Sequence, residues 1–582
     1  MTRIFSDPDA FVADALRGFA AAHREEVALV DGGVVRAQPL EPGRVAVLIG
    51  GGSGHYPAFA GFVGPGLAAG AVCGNIFTSP STAQALRVAR AADAGGGVLF
   101  TYGRYAGDVI HFGEAERRLR ADGVDARTVL ITDDVASAPL DARDERRGIA
   151  GILCVFHVAG AAAERGDSID EVERLAAHAN SRTRSHGVAF AGCTLPGADH
   201  PLFEVPDGVM SIGLGIHGEP GVRDVPLQTA PDLAVTLAEP LLAERPEGCT
   251  RAAVILNGLG SVKYEELFVL FGFVAEHLES RGIEIVEPEC GEFVTSLDMA
   301  GVSLTVLWLD DELEELWRAP ASAPGFRKGS VAGTASRGLR RDGATPRRNA
   351  EAAPATRVAA SVATEASRRA ALTVRRMLQQ ARDAVGAQVE HLGELDAVAG
   401  DGDHGIGMMR GLHAAVDASG AVDEGIGVRE LLERAGDAWS ETAGGTSGAL
   451  WGAALAELGL ALGDRDRYTS ADVAAAVAAA CRRVGEVGGA KLGDKTMLDA
   501  MGPFQEALTA RVTAGEELAA ALAVAASAAR EGADATSAMT PRLGRARPLA
   551  ERSVGHPDPG ATSFWVIADA VAHAADAGTE VE

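Results

Sequence analysis

Val45-Ala46-Val47-Leu48-Ile49-Gly50-Gly51-Gly52-Ser53-Gly54-His55 decides the reading of the first half of the chain. An unbroken apolar run rich in β-branched residues, closed at once by glycine, reads as a strand buried on both faces rather than as one side of an amphipathic helix. The glycines that follow carry no Cβ. Main-chain N–H groups can therefore face a small polar guest at the carboxyl end of the strand, where open α/β sheets hold ligands. A tight strand-to-helix turn would account for the same glycines, and the pattern is neither a Walker loop nor a dinucleotide fingerprint.

Working outward, runs of the same kind recur at Gly97-Val98-Leu99-Phe100, Thr128-Val129-Leu130-Ile131 and Ala252-Ala253-Val254-Ile255-Leu256, with helix-like stretches such as Ser168 to Ala179 between them. That alternation predicts an α/β domain over residues 1–318. From Ala319 the periodicity gives way to Pro, Ala, Gly, Ser and Arg, as in Arg337-Gly338-Leu339-Arg340-Arg341, and 319–356 read as a flexible linker. Beyond it, Arg357 to Leu378, Ala471 to Val484 and Ala514 to Ala529 carry Ala, Leu, Arg and Glu at helical spacing. Strand signals nearly vanish there, so 357–582 are expected to be all-helical.

The chain has 582 residues, too many for one ordinary core, and its 47% hydrophobic and 23% charged content is that of a folding globular protein. Its 53 basic against 80 acidic side chains leave a net charge of −27, which repels nucleic acid and anionic bilayers, so neither is expected as a partner. Carboxylates can still recruit a divalent cation that takes up phosphates. Cys73, Cys154, Cys193, Cys249, Cys290 and Cys481 form no CxxC pair, which points away from a zinc knuckle or a disulfide framework. With no apolar leader at the N-terminus and no long apolar run later, the expected location is the cytoplasm.

Three further motifs carry chemistry. Gly213-Leu214-Gly215-Ile216-His217-Gly218-Glu219-Pro220-Gly221 presents a histidine on stripped backbone, able to shuttle protons, attack an electrophile or bind metal. Metal is the weakest of these readings, because no second His or Cys stands at ligand spacing. Leu395-Asp396-Ala397-Val398-Ala399-Gly400-Asp401-Gly402-Asp403-His404 gathers three carboxylates on a glycine-bearing loop, a hard oxygen set suited to Mg²⁺, although Asp-Gly-Asp is also a common solvated turn. An EF-hand is disfavoured, since the twelfth position counted from Asp396 is Gly407. Gly444-Gly445-Thr446-Ser447 leads into an apolar helical run and suits either an anion cradle or a plain helix cap.

Taken with Thr295-Ser296-Leu297-Asp298-Met299-Ala300-Gly301 and Tyr105-Ala106-Gly107-Asp108, these motifs resemble the dihydroxyacetone kinase family over nearly the whole chain except the linker. The resemblance implies an α/β substrate-binding domain of two α/β subdomains, followed by an antiparallel helical barrel that holds ATP. It implies that His217 adds covalently to a substrate ketone as a hemiaminal, that His55 hydrogen-bonds the captured ketose, and that Asp108 takes the proton of the hydroxyl being phosphorylated. Gly52 and Ser53 belong to the same expected ketose site. In the second half Asp396, Asp401 and Asp403 would coordinate two Mg²⁺ ions bridging ATP. The nucleotide would be lined by His404, Gly445, Thr446, Ser447, Asp494, Lys495, Thr496, Met497, Asp558, Pro559, Gly560 and Ala561.

Where the family commonly has Glu this chain has Tyr56, and where it has Lys this chain has Gly103 followed by Arg104; Asn257-Gly258-Leu259-Gly260 and Leu492 also depart from the usual pattern. This variant resembles the erythrulose kinase branch. The expected function is therefore an ATP-dependent kinase acting on the terminal hydroxyl of erythrulose or dihydroxyacetone, assembled as a homodimer. Fused chains of this kind typically use ATP directly, whereas separate-subunit relatives use a phosphoenolpyruvate relay. A ketose-binding regulator without catalysis, and a cyclising lyase acting on FAD-type pyrophosphates, are the alternatives.

Overall fold

A computed structural model describes residues 4, 7–329, 363–398, 402–420, 425–443, 445–543 and 550–576, which fall into two compact units, 1–332 and 333–582. Asp401 and Gly444 lie outside the described residues, as does most of the expected linker.

The first unit holds two sheets. In the first, β1 (Val27–Val30), β2 (Gly33–Arg36), β3 (Ala46–Ser53), β4 (Gly70–Ile76), β5 (Val98–Gly103) and β6 (Ala126–Ile131) run in the order β1-β2-β4-β3-β5-β6. β3 is central and pairs parallel with both β4 and β5, and β5 pairs parallel with β6. The quoted apolar run is buried on both faces, as its composition requires. Ala46 and Leu48 meet Leu86, Phe100 and Phe112 on one side. Val45, Val47 and Ile49 meet Leu153, Phe156 and Leu175 on the other.

The crossovers follow from the sheet. A first helix, α1 (Phe11–Ala22), precedes it; α2 (Thr82–Ala92) and α3 (Ala106–Ala121) cover one face, and α4 (Ile152–Arg165) and α5 (Ile169–Arg182) cover the other. The start of α4 is held by Asp133, whose carboxylate accepts the main-chain N–H groups of Ile149 at 3.0 Å and Gly151 at 2.9 Å.

The second sheet contains β7 (Thr183–Ala189), β8 (Val209–Ile212), β9 (Arg223–Pro226), β10 (Arg251–Gly258), β11 (Glu284–Ile285), β12 (Glu289–Gly291) and β13 (Gly301–Trp308). Its order is β11-β10-β13-β7-β8-β9, with β12 also on β10. One face packs on α6 (Ala230–Ala243) and α7 (Tyr264–Ser280) through Leu237, Leu267, Val254 and Val306. Ala253, Ile255 and Leu307 on the other face join the cluster that contains Leu153 and Phe156, so the two subdomains share one core. After α8 (Asp311–Trp317), β14 (Ala321–Ala323) and β15 (Phe326–Lys328) form a hairpin, with Ala323 and Phe326 buried in that same core. This corrects the start of the expected linker. Residues 319–329 look like linker because they are rich in Pro, Ala and Gly, but small residues there let the hairpin approach Gly61 and Gly64 closely.

The second unit is helical: α9 (Glu365–Gly386), α10 (Val389–Ala397), α11 (His404–Gly420), α12 (Val428–Ala443), α13 (Gly445–Leu462), α14 (Ser470–Gly488), α15 (Leu498–Thr513), α16 (Leu518–Ala535), α17 (Ala550–Ser553) and α18 (Pro559–Asp576). The long helices from α11 to α16 each pack on the next, α16 packs on α18, and α18 and α11 both return to α9, closing a barrel. Trp439 stacks on Trp451 with ring centroids 5.0 Å apart, and Trp451 on Phe564 at 6.0 Å, filling its interior. Among the described residues no helix is long and apolar enough to cross a membrane.

Candidate active site

The glycine-rich end of β3 and the first turn of α3 meet the 213–219 loop around a small cavity of about 30 Å³, lined by Gly52, His55, Tyr105, Asp108 and His217 among others. Gly52 faces it, and the same glycine is needed for packing, since a Cβ there would lie 2.7 Å from the Thr78 main-chain nitrogen. Gly50, Gly51 and Gly52 belong to the end of β3 rather than to a strand-to-helix turn, and all three line the cavity. Ser53 is not on the wall; its hydroxyl donates to the Gly74 carbonyl at 2.7 Å.

His55 Nδ1 lies 2.7 Å from the Thr295 carbonyl oxygen, which can only accept, so that nitrogen carries a proton and Nε2 faces the cavity. Nε2 of His55 is 3.0 Å from Nε2 of His217. His217 in turn sets Nδ1 at 3.1 Å from Glu219 Oε1, and its ring is boxed by Tyr105 and Phe77, with centroids at 4.9 and 5.2 Å. Burial, then the neighbouring His217, lowers His55 to about 3. Glu219 sits at about 2: burial opposes its charge, and the His217 hydrogen bond and the charges of His217 and Arg147 outweigh burial.

Asp108, in the first turn of α3, is buried, and its Oδ1 has no hydrogen-bond partner. Burial pushes its carboxyl up to about 7, moderated by a Ser79 hydrogen bond and by His217. An orphaned carboxyl oxygen beside two imidazoles calls for a polar guest. A larger cavity of about 380 Å³ opens elsewhere in this unit, but it is lined by ion-paired groups such as Arg36 and Glu164, 2.9 Å apart, and by none of these residues.

In the second unit, a cavity of about 250 Å³ is lined by Asp396, His404, Thr446, Ser447, Thr496 and Asp558, together with Lys495, Met497, Pro559 and Gly560. It lies where α10 ends and where α11, α13, α15 and α18 begin. Several helix N-termini at one cavity favour an anion. Asp396 Oδ2 accepts the Gly402 N–H at 2.9 Å, and His404 Nε2 is 2.9 Å from Ser563 Oγ. Asp558 caps α18 by accepting the Ala561 N–H at 2.7 Å. Asp403, Gly445 and Asp494 are not on the wall but adjoin residues that are, and among the described residues no three ligands gather as a metal cluster. Asp401, the middle carboxylate of the expected trio, is not among them.

Lys495 lines this cavity and is held by main-chain oxygens. Its ammonium donates to the carbonyls of Met539 at 3.3 Å, Ser553 at 2.6 Å and His556 at 2.9 Å, leaving no spare proton for a phosphate. The residue sits at the wall as a clamp on Met539, Ser553 and His556. Sequence reasoning also left Glu219, Arg147 and Gly148 without roles, although Glu219 stands two residues after His217 in the quoted motif.

The match to known proteins covers both units. A Dak1 domain model matches residues 17–325, and a DAK2 domain model matches residues 398–573. The chain belongs to the dihydroxyacetone kinase family. It is 53% identical over 577 residues to an L-erythrulose kinase of Pectobacterium atrosepticum, covering 98% of this chain and 96% of that protein. It is 53% identical over 584 residues to a D-erythrulose kinase of Mycolicibacterium smegmatis, covering 100% of both. Among solved structures, the dihydroxyacetone kinase from C. freundii in complex with AMP-PNP and Mg²⁺ is similar at 28% identity and a TM-score of 0.52, over 98% of this chain and 99% of that one. Both halves of this dihydroxyacetone kinase family member thus have counterparts in a single fused protein.

Proposed function

We propose that this chain is an ATP-dependent kinase that phosphorylates the terminal hydroxyl of a short-chain ketose, erythrulose or dihydroxyacetone, while His217 holds the ketone carbon as a hemiaminal. The observation that carries the reading is the convergence of His217, His55 and the unpartnered Oδ1 of Asp108 on one small cavity. A nucleophilic nitrogen, a hydrogen-bonding imidazole and a base poised near neutrality are what ketone capture and hydroxyl activation need. His217 orients the ketose through its carbonyl, His55 hydrogen-bonds the resulting hydroxyl, and Asp108 accepts the proton of the attacking terminal hydroxyl as it meets the γ-phosphate.

The helical unit would bind the nucleotide at the mouth lined by Asp396, Thr446 and Ser447. The carboxylates of Asp396, Asp401 and Asp403 are a hard-oxygen donor set that fits Mg²⁺, and two ions with ATP are part of this proposal. Bound there, Mg²⁺ would neutralise charge on the triphosphate. The kinase relatives and the Mg²⁺ and AMP-PNP complex support the assignment. Assembly as a homodimer belongs to the same proposal and is read out by molar mass in solution. A cytoplasmic setting agrees with cysteines that are all free.

The test is ADP release with Mg²⁺ and ATP, screened over dihydroxyacetone, D-erythrulose, L-erythrulose and glyceraldehyde. Ketose-dependent turnover is expected, and ADP release indifferent to every ketose would overturn the proposal.

A further inference from the structure

From the geometry behind His217 we infer that Glu219, backed by Arg147 and Asp134, is a positioning residue that fixes the His217 tautomer and keeps one extra proton on the His55–His217 pair, to be delivered to the ketone oxygen. This rests on the proposed ketone capture and deepens it.

The argument is a proton count. Thr295 O requires a proton on His55 Nδ1, at 2.7 Å. The Glu219 carboxylate requires one on His217 Nδ1, at 3.1 Å. Both Nε2 atoms would then be bare, yet they stand 3.0 Å apart, a contact that two lone pairs do not make. A third proton between them resolves the conflict, and it makes the pair a single imidazolium facing one carboxylate.

The chain builds around that carboxylate. Glu219 Oε2 accepts the His217 main-chain N–H at 3.0 Å while Oε1 faces Nδ1, so both oxygens serve one residue. Arg147 NH1 lies 3.7 Å from Oε2, and its NH2 lies 2.7 Å from Asp134 Oδ2, in an ion pair whose side chains are largely buried. Gly215 leaves the space this requires: a Cβ there would lie 2.0 Å from Glu219 Oε2 and 2.4 Å from Arg147 NH1. The other groups facing His217 are the Tyr105 ring, whose hydroxyl donates to Gly148 O at 3.1 Å, Phe77, and Asp108, whose side-chain hydrogen bond is to Ser79. The rings of Tyr105 and Phe77 offer the pair no carboxylate, and Asp108, whose Oδ1 has no partner, is the other carboxyl group beside it.

The step balances without an outside reactant. The proton passes from His217 Nε2 to His55 Nε2, freeing the His217 lone pair to form a C–N bond with the ketone carbon. The carbonyl π pair moves to oxygen, which takes the proton from His55. His55 ends neutral, the alkylated His217 ring keeps its Nδ1 proton and positive charge, and Glu219 remains the counter-ion throughout.

The test is ¹⁵N NMR of the full chain labelled at histidine, with His217 assigned by His217→Asn. At neutral pH the wild-type pair should show three protonated ring nitrogens, including His217 Nδ1. In Glu219→Gln one acceptor oxygen becomes a donor, so the third proton should be lost at a pH lower by about one unit or more. Glu219→Asp, which keeps two acceptors, should lie between. With dihydroxyacetone as the probe, the adduct fraction seen by native mass spectrometry should fall about tenfold in Glu219→Gln at neutral pH and recover on acidification, which a merely structural lesion would not do. Two protonated nitrogens in the wild type, a bare His217 Nδ1, or a titration unmoved by Glu219→Gln would overturn the inference. A wild type that forms no adduct would instead sink the covalent capture proposed above, while the proton count is still read from the ligand-free protein.

Discussion

Gly103, at the end of β5, and Gly148, in the loop before α4, touch through their backbones in the wall of the first-unit cavity: a Cβ on Gly148 would lie 2.4 Å from Gly103 Cα. The reverse addition is milder, since a Cβ on Gly103 would meet Gly148 O at 3.0 Å and Tyr105 Cε2 at 3.3 Å. Gly148→Ala must push β5 away from the loop and is expected to cost about 1–3 kcal/mol, read as a lower Tm. Gly103→Ala should fold and narrow the cavity, raising KM for the ketose roughly tenfold with KM for ATP unchanged. An unaltered ketose KM would show that the substrate does not lie against this wall.

Asp108 sets a pH limb. Its carboxyl is held up to about 7, by burial first, with Ser79 and His217 pulling the other way, so it is protonated and unable to act as a base at lower pH. The sign follows: kcat/KM should rise with pH through about 7. Ser79→Ala, which removes a partner of the ionised form, should move the limb upward. Asp108→Asn should lower kcat by about 10²–10⁴-fold while leaving the ketone adduct intact in native mass spectra. A limb that stays in place in Asp108→Asn would assign it to another group.

Much of this was legible in the sequence, and what was not has physical causes. Val45 to Ile49 and Ala252 to Leu256 could be read as buried strands because burial on both faces demands unbroken apolar runs. His55, Asp108 and His217 stood out because glycines frame them or because they match family motifs, and the fold brings all three to one cavity. The hairpin at 321–328 was hidden because its small residues serve close backbone packing and imitate a linker. Glu219 and Arg147 were missed because Arg147 approaches from a different loop, 72 residues earlier by position number, and only the fold pairs them. Lys495 lines the second cavity as expected, but its bonds to three carbonyls from distant segments were not legible, because only the fold brings Met539, Ser553 and His556 to it.

That clamp can be broken. Lys495→Met leaves the carbonyls of Met539, Ser553 and His556 without their shared donor and is expected to destabilise the helical unit by roughly 2–4 kcal/mol. Because Ser553 and His556 line the same cavity, KM for ATP should rise as well, and KM for the ketose should not. A raised ATP KM with an unchanged Tm would instead favour a direct nucleotide contact for Lys495.

Asp396 allows charge and geometry to be separated. Its Oδ2 accepts the Gly402 N–H at 2.9 Å, a bond that the amide oxygen of Asp396→Asn can still make, so the loop should keep its course while one formal negative charge disappears. If the carboxylate serves Mg²⁺ with ATP, half-maximal activity should require about tenfold more Mg²⁺, with little change in Tm. Asp401→Ala should abolish turnover outright. Asp396 does not line the cavity that holds His217, and the ketone adduct should form in both variants at the wild-type level. An unchanged Mg²⁺ requirement in Asp396→Asn would remove this residue from the metal site and leave it as a loop anchor; loss of the adduct would mean that the two halves do not divide the labour as proposed.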